Sequence, residues 1–451
     1  MSQPLPLVSA LLDAPLPPSG IAWLDALRQD NRAAFAAAGL PDTRVEAWKY
    51  TALRALSQRR FAPGDADAPT RAVDADTFAL PGVDGPRLVF VNGVFRADLS
   101  AIDALPAGLT LQPLSQALQG DAEPWRLALS RALSPGQAHD AAAAFSHINA
   151  ASAADGVVLR VAARHQIAAP VQLVFVGAAT DAAPAHPGAS ALAWHARHVI
   201  ELGEGAELSL IEQHVSSGES SPASSSPLAT LVGDIELGQG AVLHHVLLQH
   251  ADVTSTLMRQ SRLRLHAKAH ATLHVLELGG ALVRHELQAE LVGDEARLDT
   301  RGVFMPHGRQ HIDTQLAIRH QALNTRSSSH WRGVAGDRAR GVFRGALLVA
   351  PDADGSDASL GNKNLLLSPN AEIDTKPELE IYADEVKAAH GATVGQLDER
   401  ALFYLRSRGI PLGEARALLT AAFCRAVLDD LPNAVLREHL CERLIAQLPK
   451  P

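Results

Sequence analysis

A histidine at the end of an alternating segment is the first candidate for chemistry. Residues 380–396 read EIYADEVKAAHGATVGQ and bring Lys387 and His390 just before a glycine. If the strand continues, Ala388 and His390 point to the same face, because side chains alternate along a strand. A histidine that shares a face with apolar residues is partly desolvated, so it must find a partner or lose its charge. We therefore predict that His390 is functional; the alternative is that it only ends a strand.

Other chemical signals are absent or weaker. The sequence has no G-x-x-x-x-G-K-S/T phosphate loop, no H-E-x-x-H and no G-x-S-x-G motif. It has 20 histidines, but those in the strands that precede His390 more often decorate a solvated face, and we predict no metal site among those strand histidines. Asp374, Glu378 and Glu380 could serve as acids and bases in a carbohydrate-active β-helix enzyme. The aromatic content of 4% leaves few rings for sugar stacking and disfavours that alternative.

These candidates lie in a long region whose apolar residues alternate. From Gly156 the period of the apolar residues changes to two, which is typical of strands. A short turn that ends in an alanine recurs along this region. The alanines are Ala206, Ala241, Ala271, Ala296 and Ala339. Repeats that recur every few tens of residues, as these alanines do, indicate a solenoid, propeller or array. The uneven spacing of the alanines argues against propeller blades. We predict a β-solenoid, with a β-sandwich as the alternative that alternation does not exclude.

Polar residues near the end of this region are predicted to lie on a solvated face of the solenoid, with asparagines near its corners. They are Asn362, Lys363, Asn364, Asp374, Lys376, Glu378 and Glu380. The stretch SSGESSPASSSP, which begins at Ser216, is predicted to be a surface insertion in one coil.

Helical periodicity frames the β-region on both sides. We predict a mainly helical N-terminal region at 1–150, a β-solenoid core at 151–397 and a C-terminal helical domain at 398–451. In the last segment, an apolar stripe that includes Leu418, Phe423 and Val427 is expected to close the solenoid, since solenoids need caps, or to bind a groove of another protein, or to do both with different faces.

Composition narrows the class of protein. With 40 Lys+Arg against 49 Asp+Glu the formal charge is -9, so we predict neither a nucleic-acid partner nor a membrane partner. Cys424 and Cys441 are the two cysteines, both in helical patterns, which excludes a disulfide scaffold and predicts buried helix residues. The first residues lack the features of a secretory signal, and no apolar run is long enough to span a bilayer. We therefore predict a cytoplasmic protein.

The segment NLLLSPNAEIDTKPELEIYADEVKAAHGATVGQLDERALFYLRSRGI closely resembles the C-terminal signature of the SufB/SufD family of iron–sulfur cluster assembly scaffolds. EAWKYTALRAL near the N-terminus and RLVFVNGVF resemble further parts of the family in the same order. The resemblance implies a right-handed parallel β-helix flanked by helical regions, in agreement with the solenoid interpretation. The helical N-terminal part and the lack of cysteine in the β-region favour a SufD-like member; a SufB-type scaffold is the alternative.

The resemblance also implies partners. The chain would be a non-enzymatic subunit that pairs with SufB through strands near the C-terminal end, while ATP is hydrolysed only on the ATPase SufC. A homodimer is expected when the chain is alone, and reduced flavin is a further ligand to be tested on the complex. The cap resembles the SufC-docking segment of the family, which here includes Tyr404, Arg406, Arg408 and Gly409.

By the same resemblance, His390, Lys387 and Ala388 would lie at the SufB interface, with His390 as a transient ligand of a cluster shared with SufB. Neutral imidazole is a reasonable ligand for iron beside thiolates. Relatives often carry a cysteine two positions before this histidine, where the present chain has Ala388. The thiolate ligands are therefore expected to come mainly from the partner.

Overall fold

Two long, mainly parallel β-sheets form the body of the molecule, and helices pack against them on both sides of the β-region in sequence. The computed structural model describes residues 5–63, 73–133, 141–178, 191–217 and 227–448. Most of the insertion predicted from Ser216 lies outside these ranges, at 218–226.

The α-helices of the described residues fall into an N-terminal and a C-terminal group. They are α1 (Pro6–Asp13), α2 (Ala22–Ala38), α3 (Arg54–Ser57), α4 (Leu114–Gln119), α5 (Glu123–Leu133), α6 (Ala144–Ser152), α7 (Glu399–Ser407), α8 (Leu412–Arg425) and α9 (Ala434–Ala446).

The strands begin within the N-terminal region and then follow one another without an intervening α-helix from β5 onward. They are β1 (Phe61–Pro63), β2 (Arg87–Val91), β3 (Val94–Phe95), β4 (Leu109–Pro113), β5 (Asp155–Val161), β6 (Gln166–Ala178), β7 (Ala191–Leu202), β8 (Glu207–Ser217), β9 (Leu228–Leu237), β10 (Val242–His250), β11 (Thr256–Leu265), β12 (His270–Glu277), β13 (Leu282–Leu291), β14 (Arg297–Phe304), β15 (His311–His320), β16 (Arg326–Ala335), β17 (Arg340–Val349), β18 (Asp357–Leu366), β19 (Glu372–Ile381) and β20 (Lys387–Gly395).

Each sheet has ten strands, and from β5 onward consecutive strands alternate between the two sheets. Odd-numbered strands from β5 to β19 lie in one sheet, here sheet A, and even-numbered strands from β6 to β20 lie in the other, here sheet B. Within each of these series, every strand pairs in parallel with the strand two elements away. One coil therefore contains one strand of each sheet. This topology confirms the predicted parallel β-helix and excludes the β-sandwich, whose sheets are antiparallel.

Small residues at the corners allow the coils to stack closely. Ala206, Ala241 and Ala296 are fully buried directly before β8, β10 and β14, at the corner that leads into sheet B. Ala271 instead lies inside β12, and Ala339 precedes β17 at the corner that leads into sheet A. The alanine repeat seen in the sequence thus mixes positions from different parts of the coil, which explains its uneven spacing.

The N-terminal helices pack on the outer face of sheet A. Phe35, Trp48 and Phe145 form one apolar cluster with residues of β7, β9 and β11. RLVFVNGVF forms the antiparallel hairpin β2–β3, whose turn residues Asn92 and Gly93 both have positive φ angles, as a tight turn of that sequence requires.

The C-terminal helices pack on the outer face of sheet B. Leu428, Leu440 and Leu444 join an apolar cluster with Leu248 and Leu276 from that face. The helical domain therefore covers the side of the solenoid, and the expectation that its apolar stripe closes the solenoid end is wrong. Leu418, which was placed in that stripe, is exposed. In the part of the chain that the structure describes, the outer edges of the last coil therefore pair with no further strand.

Candidate functional site

Two unpaired strand edges lie at the C-terminal end of the solenoid. β19 is the last strand of sheet A and β20 is the last strand of sheet B, and within the described ranges no strand pairs with the outer edge of either. Every residue of β20 is exposed or half-buried, whereas four residues of β18, the strand it pairs with, are buried. An edge of this kind presents backbone donors and acceptors to another chain.

The directions of the backbone groups can be read from the strand pairing. On β20, the N–H of Lys387 donates to the carbonyl of Ser356 at 2.9 Å, toward β18. Because alternate residues of a parallel strand bond to opposite sides, the N–H groups of Ala388, His390 and Ala392 face the open edge. This edge is an uninterrupted series of donors.

The open edge of β19 is less regular. The N–H of Glu372 donates to the carbonyl of Ala339 at 3.0 Å, and that of Tyr382 donates to Val349 at 2.9 Å, both toward β17. Pro377 therefore belongs to the alternate set that faces outward. Proline at this position breaks no bond with β17, but it removes one donor from the edge that a partner would use.

His390 lies on the inward face of this last coil. It pairs with Leu360 of β18, and Ala388 pairs with Ala358; both partners are buried in the lumen. Ala388 and His390 thus share a face, as predicted, whereas Lys387 belongs to the opposite, outward face. The His390 residue is exposed because no further coil covers it. The expected partial desolvation of the imidazole is therefore wrong for the chain by itself.

A polar layer lies beneath the last coil, where the sequence analysis predicted a solvated face. Asn362 and Asn364 are buried. Both lie an even number of positions from Leu360 on β18, so their side chains point inward as that of Leu360 does. Asn362 Oδ1 accepts hydrogen bonds from Asn364 Nδ2 at 2.5 Å and from Thr375 Oγ1 at 2.8 Å. Asn364 Nδ2 also donates to the carbonyl of Thr393 on β20 at 3.0 Å. Even spacing from Leu360 was the signal that could have placed both asparagines inside.

The carboxylates on β19 are held in ion pairs. Asp374 Oδ2 lies 2.6 Å from Arg340 Nη2, and Glu378 pairs with Arg344 and with Lys376. Burial raises the pKa of Glu378, but the hydrogen bonds from Lys376 and Arg344 outweigh it and lower the pKa. A carboxyl group with a lowered pKa is a poor general acid, so this row does not form the acid/base pair that a carbohydrate-active enzyme requires.

The cysteines are unsuited to bind metal. Cys424 and Cys441 are buried in α8 and α9, within the cluster that packs on sheet B. Burial raises the pKa of the Cys424 thiol to about 12 and also raises that of Cys441. The thiolate is the metal-binding form, and it is disfavoured here. In the part of the chain that the structure describes, no group of three or more His, Cys, Asp or Glu residues could hold a metal ion.

The segment predicted to dock an ATPase presents aromatic and basic groups to solvent. Phe403 is 74% exposed, and Tyr404 beside it is also exposed. The guanidinium of Arg408 stacks 3.7 Å from the centroid of the Tyr404 ring. Arg406 is exposed near the end of α7, and Gly409 follows with a φ of 87°. The segment is thus an accessible helix and turn.

Comparison with known families agrees with this architecture. The family model described as SUF system FeS cluster assembly, SufBD core domain, matches residues 186–423, and the SufBD protein N-terminal region matches residues 17–173. The chain belongs to the SufB/SufD family. The two models together cover α2 to α7, the strands apart from the end of β6, and most of α8.

Within the SufB/SufD family, similar proteins include SufD-named members. The chain is 31% identical over 411 residues to the iron-sulfur cluster assembly protein SufD of Escherichia coli, which covers 91% of this chain and 90% of that protein. It is 31% identical over 405 residues to an iron-sulfur cluster assembly SufBD family protein of Synechocystis sp., which covers 89% and 86%. The SufD protein of Bacillus subtilis is 27% identical over 297 residues. The chain is thus a SufD-like member of this iron–sulfur cluster assembly family.

No helix among the described residues is both long enough and apolar enough to cross a membrane.

Proposed function

We propose that this chain is a non-enzymatic scaffold subunit of an ATP-dependent iron–sulfur cluster assembly complex. In this proposal it pairs with a SufB-type chain through the open edges of β19 and β20, and it docks a SufC-type ATPase through α7 and the turn that follows. The observation that carries the proposal is the open end of the solenoid, where two unpaired edges flank an exposed, inward-facing His390.

The unpaired edges favour main-chain pairing as the mode of contact. On β20 the outward N–H groups of Ala388, His390 and Ala392 can continue the ladder into a partner strand. A partner that adds a strand there would also cover the inward face of the last coil. His390 would then lie in the joint between the two solenoids, rather than in a site of this chain alone.

The residues present fit a shared cluster and do not fit one that this chain holds by itself. His390 can offer one imidazole nitrogen, while Ala388 supplies no thiol and the buried cysteines lie in another part of the molecule. Iron–sulfur clusters are held mainly by thiolates, with imidazole as a known substitute. The thiolates would therefore come from the SufB-type partner, with the cluster as a transient cargo.

The exposed α7 segment suits a helix-in-groove contact with another protein. Phe403 and Tyr404 would supply the apolar anchors, and Arg406 and Arg408 the charged rim. ATP hydrolysis on that other chain would explain why this sequence has no phosphate loop.

The test is co-expression of the full chain with matching SufB-type and SufC-type chains, followed by purification through a tag on this chain. We expect a stable complex that retains iron and acid-labile sulfide when assembled without oxygen. A chain that purifies alone under these conditions would refute the proposal. The isolated chain, for which a homodimer through the same edges is the expectation, is the control for retained iron.

A further inference from the structure

The EAWKYT segment is anchored on the outer face of sheet A. Trp48 is buried, with its ring centroid 5.5 Å from that of Phe145 and 4.0 Å from the guanidinium carbon of Arg284 on β13. Thr51 Oγ1 donates a hydrogen bond to Asp313 Oδ2 on β15 at 2.5 Å. These contacts fix the position of the segment relative to the strands that lead to the open end.

Anchored in this way, the segment brings Glu46 to the last strand of sheet A. The Glu46 carboxylate pairs with the ammonium of Lys376 on β19, and Lys376 Nζ also lies 2.7 Å from Glu378 Oε1. The Glu46 side chain is 61% exposed, so this pair contributes little to folding stability. The Glu46–Lys376 pair lies beside the open edge of β19, where a partner strand would bind.

Carboxylates outnumber cations at this place on the edge. On the outward row of β19 and beside it, four carboxylates are balanced by four cations: Glu46, Glu372, Asp374 and Glu378 against Lys49, Arg340, Arg344 and Lys376. Glu380 follows on the same outward row, and its Oε2 lies 3.4 Å from the hydroxyl of Tyr382. Among the described residues, no Lys, Arg or His nitrogen forms an ion pair with Glu380. The group therefore carries one excess negative charge next to the edge.

We propose that the EAWKYT segment is a second wall of the docking surface and that it selects a partner strand with a basic side chain facing Glu46 and Glu380. The inference rests on the proposed function, because it requires a partner strand at β19. Such a strand would run about 4.8 Å from β19, so its outward side chains come within reach of both carboxylates. Complementary charges at such a rim accelerate association and reject wrong partners.

The test uses Glu46→Gln in the full chain and measures its association with the SufB-type chain at low and high salt. We expect the association rate constant to fall about threefold to tenfold at low salt, because neutralising a rim charge acts mainly on the association rate. The difference should shrink at high salt through screening. Glu380→Gln should change the rate in the same direction, and Glu46→Asp, which keeps the charge, should restore the original rate.

Glu204→Gln is the matched control. Glu204 is 56% exposed and has a single cation partner, Arg164, at 2.9 Å, but it lies in the turn between β7 and β8, far along the solenoid from the open edge. The association rate constant of the Glu204→Gln variant should equal that of the unsubstituted chain. An unchanged or faster rate for Glu46→Gln would overturn the inference and leave the proposed function standing. If the unsubstituted chain fails to bind the SufB-type chain, that result contradicts both the proposed function and this inference.

Discussion

Glu212 and Arg259 form a two-point ion pair across the lumen of the solenoid. Arg259 Nε lies 3.1 Å from Glu212 Oε1, and Nη2 lies 2.6 Å from Oε2, with both side chains buried. Burial opposes the charge of Glu212, but Arg259 and the hydrogen bonds of His214 and His245 hold its pKa well below the usual range. Because Glu212 is on β8 and Arg259 on β11, the pair links the two sheets.

Removing one partner of this pair should destabilise the chain strongly. Arg259→Met leaves the Glu212 carboxylate buried without its cation, and we expect a loss of about 3–5 kcal/mol in the free energy of unfolding. Urea unfolding followed by circular dichroism measures it. The control is Arg164→Met, which breaks the exposed pair with Glu204 and should cost at most about 1 kcal/mol. Equal losses for the two variants would contradict a structural role of the buried pair.

Acidification should destabilise the solenoid before its carboxylates titrate. Burial lowers the pKa of His198 and of His320 to about 4, from an unfolded value near 6.5. Between these values the unfolded chain binds protons that the folded chain does not, so stability falls as the pH falls from about 6.5 toward 4. Each histidine should contribute a loss of about 2 kcal/mol at pH 5 relative to pH 7.

Urea unfolding at a series of pH values tests this dependence. His320→Asn should make the profile between pH 7 and pH 5 less steep, because it removes one of the buried histidines whose pKa is lowered to about 4. His165 is exposed in the turn before β6, so His165→Asn removes a histidine without disturbing the lumen and is the matched control against which the effect of His320→Asn is read. A stability that stays constant from pH 7 to pH 5 would show that these histidines titrate normally.

A proline at the open edge should block pairing and spare the fold. The N–H of Ala392 faces outward from β20, so Ala392→Pro removes a donor that β18 does not use. We expect a folded chain with weakened binding to the SufB-type partner, measured by calorimetry. Gly391→Pro is the control, because the N–H of Gly391 faces β18 and its loss should lower the unfolding midpoint. Undiminished binding by Ala392→Pro would argue against pairing at β20.

Substitution of His390 should separate cluster assembly from complex formation. His390 is exposed, so His390→Ala should retain the fold and the complex. If His390 is a ligand of the shared site, as proposed, the yield of iron and sulfide per complex in an oxygen-free reconstitution should fall severalfold. His165→Ala should leave the yield intact. A full yield from His390→Ala would reduce His390 to a strand-end residue.

Truncation of the exposed aromatic on α7 should weaken the ATPase contact. Phe403 is 74% exposed, so Phe403→Ala should not change the thermal midpoint, but it should weaken binding of the SufC-type chain about tenfold or more if it is an anchor. Titration calorimetry provides the affinity. Leu127 on α5 is 65% exposed, and Leu127→Ala should have no effect on this affinity. Equal affinities of the Phe403→Ala and Leu127→Ala variants for the SufC-type chain would contradict docking through α7.

Several features of the fold could be read from local pattern. The alternation after Gly156 predicted strands, and small corner residues with few aromatics indicated a narrow solenoid rather than a sandwich. Parity along β20 placed Ala388 and His390 on one face, which the pairing with Ala358 and Leu360 confirms. Both features depend on residues close in the chain, where the strand geometry fixes side-chain direction. Two sets of statements stay predictions. One is the roles assigned to His390 and to the α7 segment, and the other is the division of the chain at 1–150, 151–397 and 398–451.

Other features depended on which distant segments meet. The alternation of side chains along a strand defines two faces but does not show which face is inside. Asn362 and Asn364 were therefore assigned to solvent, although they lie in the lumen. The apolar stripe that includes Phe423 and Val427 was predicted to close the solenoid end, but packing against Leu248 and Leu276 places it on the side of sheet B. The sequence by itself thus determined the elements and the alternation of their side chains, because these follow from local backbone geometry. The tertiary structure alone decided which face is buried, where the cap lies and that Glu46 meets Lys376, because those outcomes depend on contacts between residues far apart in the chain.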